Sequence, residues 1–224
     1  MNKEEKRRKT FTRRTVAGHI GRLAGGAALL GPGIAHALIK TPSQTAGPFY
    51  PPEPHAETDV DLTLLEGHME HADGDVILVR GQVTDLDGKP LAGARVDIWQ
   101  ANHYGRYAHP RDRNTAPLDP NFQGIGIAYT DADGWYGFRT IRPAPYPLAF
   151  VGDSGMRARH IHFKVAHEGA GRLTTQMYFA GDPLIEKDLV MRGTPKAQRH
   201  LLITSPVEDE ETGLPIHRFD LALG

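Results

Sequence analysis

The chain has 224 residues, 39% of them hydrophobic, with 25 glycines, 17 prolines and a formal charge of −1 at pH 7. This length can enclose one sizeable core, and no apolar run is long enough to cross a bilayer, so stable membrane insertion is not expected. The absence of cysteine excludes disulfides, thiolate metal ligands and thiol nucleophiles.

The first 37 residues differ in composition from the rest. Arg13-Arg14 begins a twin-arginine pattern, Leu23 to Ile34 is a weakly apolar Gly/Ala-rich stretch, and Ala35-His36-Ala37 is an A-x-A cleavage site. Residues 1–37 are therefore expected to be a twin-arginine (Tat) signal peptide, and the protein to be periplasmic or extracellular; a basic amphipathic surface helix is the competing reading. The segment holds eight Lys/Arg against two Glu, a balance of +6, which leaves −7 on the remaining 187 residues. With no basic stripe to neutralise phosphates, nucleic acid is not expected as a partner. The Tat route carries folded proteins, so a metal could be loaded before export.

Residues 38–74 form an arm without helical periodicity. Alternating apolar and polar residues then predict strands at 75–85 and 94–101, joined through the turn Asp85-Leu86-Asp87-Gly88. The connection 106–123 is too long for a plain turn and reads as a functional loop. A second hairpin, 126–130 and 135–141, flanks Asp131-Ala132-Asp133-Gly134. Further strands are expected at 160–166, 173–179, 200–205 and 217–223. Many short strands with scarcely any 3.6-residue apolar period predict one all-β domain over 38–224, a β-sandwich with long active-site loops and little helix.

Four residues suggest metal chemistry. In Arg157-Ala158-Arg159-His160-Ile161-His162, the histidines at i and i+2 on a strand place both imidazoles on one face. Tyr146 lies in Arg142-Pro143-Ala144-Pro145-Tyr146-Pro147, where three prolines stiffen the backbone and bar it from a central strand. Tyr107 follows Trp99-Gln100-Ala101-Asn102-His103-Tyr104-Gly105-Arg106, a polar and aromatic stretch leaving a strand end. Two phenolates and two imidazoles suit iron(III), a hard acid that favours anionic oxygen. The His-x-His pair alone is equally compatible with zinc or copper, completed by His103 or His109, and each tyrosine with ordinary sheet packing.

Taken together, the segments from Trp99 to Tyr107, Ala116-Pro117-Leu118-Asp119-Pro120-Asn121-Phe122, Phe138 to Tyr146, His160-Ile161-His162-Phe163 and Thr175 to Pro183 resemble the intradiol ring-cleaving dioxygenases, and most closely their protocatechuate 3,4-dioxygenase-like branch. The arm stretch Thr41-Pro42-Ser43-Gln44-Thr45-Ala46-Gly47-Pro48-Phe49-Tyr50 is similar to that branch's N-terminal active-site arm. The resemblance implies one non-haem Fe(III) per active site held by Tyr107, Tyr146, His160 and His162, with Tyr146 the ligand that leaves when substrate chelates. It implies Arg157 and Gln176 as catalytic residues, and Trp99, Thr45, Gly47, Pro48 and Tyr50 as substrate-binding residues. The expected partners are a small aromatic diol and O2, the product a cis,cis-muconate. The branch commonly pairs unlike chains; here arm and ligands occur in one chain, which suits a homo-oligomer or a self-sufficient monomer.

Ala158 replaces the proline of the family's Arg-Pro-x-His-Ile-His and Ala144 the glycine that often precedes its Pro-Tyr-Pro, and the ligands survive both changes. On substrate, 148–156 lacks the combination of aromatic and basic residues expected beside a protocatechuate carboxylate, while Arg139 and Arg159 offer alternative cations. A competing function comes from Gly81 to Asp85, Pro90 to Val96 and Thr130 to Phe138, which resemble prealbumin-like β-sandwich modules that bind or space without catalysing. Fold cannot choose between these readings; the Tyr107, Tyr146, His160 and His162 set favours the enzyme.

Overall fold

The computed structural model describes residues 38–52, 57–148 and 155–224; the expected leader and most of the 148–156 stretch lie outside the described residues. Two five-stranded sheets pack face to face. The first is built around β1 (Val76–Asp85), which pairs antiparallel with β4 (Trp135–Ile141) and parallel with β11 (Pro215–Arg218) and β12 (Leu221–Leu223); β10 (Pro206–Glu208) continues it beyond β11. The second runs β3 (Ile125–Tyr129), β2 (Arg95–Trp99), β7 (His160–His167), β8 (Gly171–Phe179) and β9 (Ile203–Thr204). A two-residue ribbon, β5 (Tyr146–Pro147) with β6 (Met156–Arg157), stands apart from both.

Apolar alternation sets the layers. Ile161, Phe163 and Val165 of β7 point between the sheets and are fully buried, with Phe163 5.0 Å from the ring of Phe219 and 6.0 Å from that of Tyr136. The residues between them, His160, His162 and Lys164, turn to the outer face. The chain returns along one edge of β1 in two pieces, joined where Phe219 donates its N–H to the Arg80 carbonyl and Tyr136 donates its hydroxyl to the Phe219 carbonyl. Gly81 permits that approach, since a Cβ there would lie 1.9 Å from the Phe219 oxygen.

The all-β sandwich expectation holds, with two local corrections. Residues 200–205, expected as a strand, begin with the last three residues of a 3-10 helix, Lys196–Leu202, followed by the two-residue β9. Residues 217–223 are two strands rather than one, because Phe219 leaves the sheet register to enter the core while its backbone bonds to Arg80.

The arm crosses the second sheet's outer face. Thr41 exchanges hydrogen bonds with Ala222, Gln44 donates its N–H to the Thr174 carbonyl, and the Thr175 hydroxyl donates to the Pro42 carbonyl. A histidine-bearing face that would otherwise meet water is thereby buried.

Candidate active site

The outer face of β7 and its neighbours forms the floor. Cross-strand register places Trp99 and Gln176 opposite His162, and Tyr178 opposite His160. Trp99 stacks on His162 with ring centroids 4.7 Å apart and planes 7° from parallel. His160 and His162 face each other with Nε2 atoms 3.2 Å apart. The Ala158 carbonyl accepts a hydrogen bond from His160 Nδ1–H at 2.7 Å, which keeps the proton on Nδ1 and leaves the Nε2 lone pair aimed inward.

Tyr146 arrives from the ribbon, where it pairs with Arg157, and its Oη lies 3.4 Å from His160 Nε2. Tyr107 arrives from the long loop leaving β2. The Asn102 side-chain oxygen accepts the N–H groups of Tyr104 and Arg106, the Asp112 carboxylate accepts that of Tyr107 at 2.8 Å, and the Asn114 amide donates to the Gly105 carbonyl. These local side-chain bonds fix a loop that no strand supports. The two phenol rings meet edge to face at 5.4 Å, and Tyr107 lies 6.2 Å from His162.

Four side chains from three separate segments thus converge on one buried point, each no more than 6% exposed. Burial, then the Arg157 charge, holds both imidazoles well below their usual range, so they are neutral. Burial raises both phenols; for Tyr107 the neighbouring Tyr146 adds to the effect, and for both Arg157 opposes it. The Tyr107 hydroxyl and His162 Nδ1 are buried without a hydrogen-bond partner among the described residues. Inward-facing lone pairs with no proton to share, beside an unpartnered phenol, are what a cation would complete. Donor separations of 3.2 and 3.4 Å suit neighbouring ligands around one ion with bonds of about 2.0–2.2 Å. The donor set, with two phenols, fits hard iron(III) better than zinc. Among the described residues, no cluster of three or more His, Asp or Glu offers a rival metal site, and the expected alternative completed by His103 or His109 is not formed.

Arg157 is 3% exposed and donates from Nε to Asp188 at 2.8 Å and from one Nη to Tyr178 at 3.2 Å and to Gln176. Burial opposes its charge, but Tyr146 and Asp188 outweigh burial and it stays protonated. Gln176 also donates to the Thr45 carbonyl at 2.9 Å, tying the arm to the arginine. Gly47, in the left-handed region at φ 65°, passes over the histidines; a Cβ there would lie 3.5 Å from His162 Cε1. Phe49 covers Tyr107, ring centroids 4.8 Å apart, and Arg111 donates to the Pro48 carbonyl.

Trp99 is fully buried and backs the His162 ring. The Tyr50 ring meets Trp99 edge-on at 4.9 Å and its hydroxyl donates to Asp97 at 2.9 Å, two residues down β2, so its polar end turns away from the histidines. Arg139 lies on β4 of the other sheet, paired with Asp61 at 3.1 Å, and Arg159 is held by Asp182 at 3.5 Å; neither alternative cation points into the four-residue cluster. Phe49, Asp112, Tyr178 and Asp188 also belong to the site, through contacts that the sequence does not show. Only Asp112, in an Asp-x-Asn turn pattern, carries a local signal.

A family model described as "Dioxygenase" matches residues 45–223. The chain is 42% identical over 179 residues to the protocatechuate 3,4-dioxygenase beta chain of Burkholderia cepacia, covering 79% of this chain and 76% of that one. It belongs to the intradiol ring-cleaving dioxygenase family. Catechol 1,2-dioxygenase of Candida albicans is 35% identical over 165 residues, 67% of this chain, and the match spans 50% of that relative's length. Among solved structures, the dioxygenase domain of a dioxygenase carbohydrate-binding protein fusion from Streptomyces sp. SirexAA-E aligns with TM-score 0.60 and 29% identity over 83% of this chain and 98% of that one. The 3-chlorocatechol 1,2-dioxygenase of Rhodococcus opacus 1CP aligns with TM-score 0.65 and 28% identity over 82% and 72%. Membership of an enzyme family removes the reading as a bare spacer module.

Proposed function

We propose that this chain is a non-haem Fe(III)-dependent intradiol dioxygenase that cleaves a catechol-type ring with O2 to a cis,cis-muconate-type product. The observation that carries the reading is the convergence of two phenols and two neutral imidazoles on one buried point. Tyr107, Tyr146, His160 and His162 would hold the iron, which supplies Lewis acidity that lowers the pKa of bound hydroxyls and polarises the substrate ring.

The remaining steps fall to the chain. Tyr146 sits on the two-residue ribbon instead of a main strand, so we assign its Oη to accept a proton from the incoming diol. Trp99 and the Ala158 carbonyl keep the two imidazoles oriented while this happens. Arg157 keeps a fixed positive charge beside the site, favouring the electron density that develops on the ring as O2 adds. The Gly47-Pro48-Phe49 stretch closes the outer side and limits water. Both oxygen atoms enter the product, so no external reductant is required.

The arm that completes this site comes from the same chain, which supports a self-sufficient catalytic unit, alone or in a homo-oligomer. We further propose Tat export of the folded, metal-loaded protein; iron-free protein in the exported fraction would argue against loading before export. The direct functional test is oxygen uptake with catechol and with protocatechuate. The proposal expects one O2 consumed per diol and a muconate-type absorbance. An extradiol product, or no uptake by iron-loaded protein with either diol, would overturn it.

A further inference from the structure

We propose that Asp188 is the positioning residue that aims Arg157, and that it does so by dividing its two oxygens between separate tasks; this rests on the function proposed above. Asp188 is fully buried and lies 31 residues from Arg157 in sequence, at the start of a five-residue α-helix, Leu189–Gly193. Its Oδ1 accepts the N–H groups of Val190 and Met191, at 2.9 and 3.0 Å, and so caps that helix. Its Oδ2 accepts Arg157 Nε at 2.8 Å and the Ala158 N–H at 2.9 Å.

The second pair of bonds matters for the chemistry. A guanidinium is planar, so fixing Nε and one Nη fixes the direction of the whole fork. Gln176 and Tyr178 hold the Nη that Asp188 does not, and both are neutral; Asp188 is the carboxylate paired with Arg157. The Ala158 N–H anchors the residue whose carbonyl orients His160, so one carboxylate registers the arginine against the histidine strand. Gln176 and Tyr178 are in turn bonded to Thr45 and Gln44 of the arm, which makes the arginine's cradle continuous with the site's cover.

The division of labour gives a clean experiment. In Asp188→Ser the hydroxyl still caps the helix but cannot reach Arg157. In Asp188→Asn the shape is kept, but an amide that leaves its oxygen on the helix turns its NH2 toward two donors, Arg157 Nε and the Ala158 N–H. Three readouts are compared for the iron-loaded wild type, Asp188→Ser, Asp188→Asn, Arg157→Ala and the double variant Arg157→Ala/Asp188→Ser: kcat and KM for catechol, iron content, and modification of Arg157 by phenylglyoxal, located by peptide mass mapping. The double variant lacks both charges and controls for a buried guanidinium left alone; if Asp188→Ser does not fold, Asp188→Asn carries the comparison.

The expected result is a fall in kcat of about 10–100-fold for either single Asp188 variant, with iron retained, Arg157 newly reactive to phenylglyoxal, and the double variant no slower than Arg157→Ala. Wild-type turnover in an Asp188 variant, losses that multiply in the double variant, or iron lost in step with activity would each overturn the positioning role. Absence of turnover in the wild type would instead count against the proposed function, and Arg157 reactivity would still decide the role of Asp188.

Discussion

Trp99 lies flat against His162, their rings 4.7 Å apart and 7° from parallel, so one of the two inward-facing imidazoles is held by an indole and, among the described residues, by no hydrogen bond to its second nitrogen. Metal-binding histidines are usually oriented by a partner on that second nitrogen, and here a flat apolar surface takes that role. Replacing Trp99 by Leu removes the plate while leaving an apolar side chain. Iron affinity is expected to drop about 10–100-fold, whereas Trp99→Phe, which can still stack, stays within a few-fold. Metal titration of the two variants checks this.

Arg157 and Tyr107 separate charge from ligation. Arg157→Ala should retain iron and lower kcat by about 100–1000-fold, the usual cost of removing a group that stabilises developing charge. Tyr107→Phe removes the unpartnered buried hydroxyl and should abolish iron binding. Iron content measured beside kcat distinguishes the two, and full activity in Arg157→Ala would refute its role.

Gly47 has a backbone φ of 65°, and a Cβ there would sit 3.5 Å from His162 Cε1. That contact is tolerable in itself; the left-handed backbone is what opposes an L side chain, by about 1 kcal/mol. Gly47→Ala should therefore displace the arm more than the metal. A rise in KM for catechol of several-fold, with iron content unchanged, is expected from steady-state kinetics.

His217 on β11 is 4% exposed, with Nδ1 3.0 Å from Thr204 Oγ1 of the opposite sheet and its ring 4.8 Å from Phe179. Burial, then the Arg142 charge, lowers it to about 4, against 6.5 for a free imidazole. The unfolded chain therefore takes up this proton at a higher pH than the folded one. The stabilisation is complete above about pH 6.5, declines as pH falls toward about 4, and changes no further below that. The loss is on the order of 2 kcal/mol. Chemical denaturation across this window should show the slope, and His217→Gln should reduce it, leaving the part that the buried His160 and His162 contribute.

The sequence announces some of this arrangement and hides the rest. The alternation in His160-Ile161-His162-Phe163-Lys164-Val165 has a period of two with a buried core face, so strand and histidine direction are both readable. Tyr146 between prolines is readable as a residue held off the main sheets, and it lies on a separate ribbon. The apolar Leu201-Leu202-Ile203 run suggested a strand that tertiary packing turned mostly into a 3-10 helix, since so short a run does not distinguish the two. Asp188 shows no local sign of reaching Arg157, because a contact across 31 residues depends on how the loop after β8 folds back. The roles of Trp99 and Tyr50 depend likewise on which side of the indole the arm passes.

The central claim, an iron(III) held by Tyr107, Tyr146, His160 and His162, is tested most directly by the visible absorption spectrum of the purified protein alongside its iron content, before and after anaerobic addition of catechol and of protocatechuate. The account predicts about one iron per chain and a red-brown phenolate-to-iron(III) band that shifts with one of the diols and is lost in Tyr107→Phe. A protein that stays colourless after ferric or ferrous loading would contradict it.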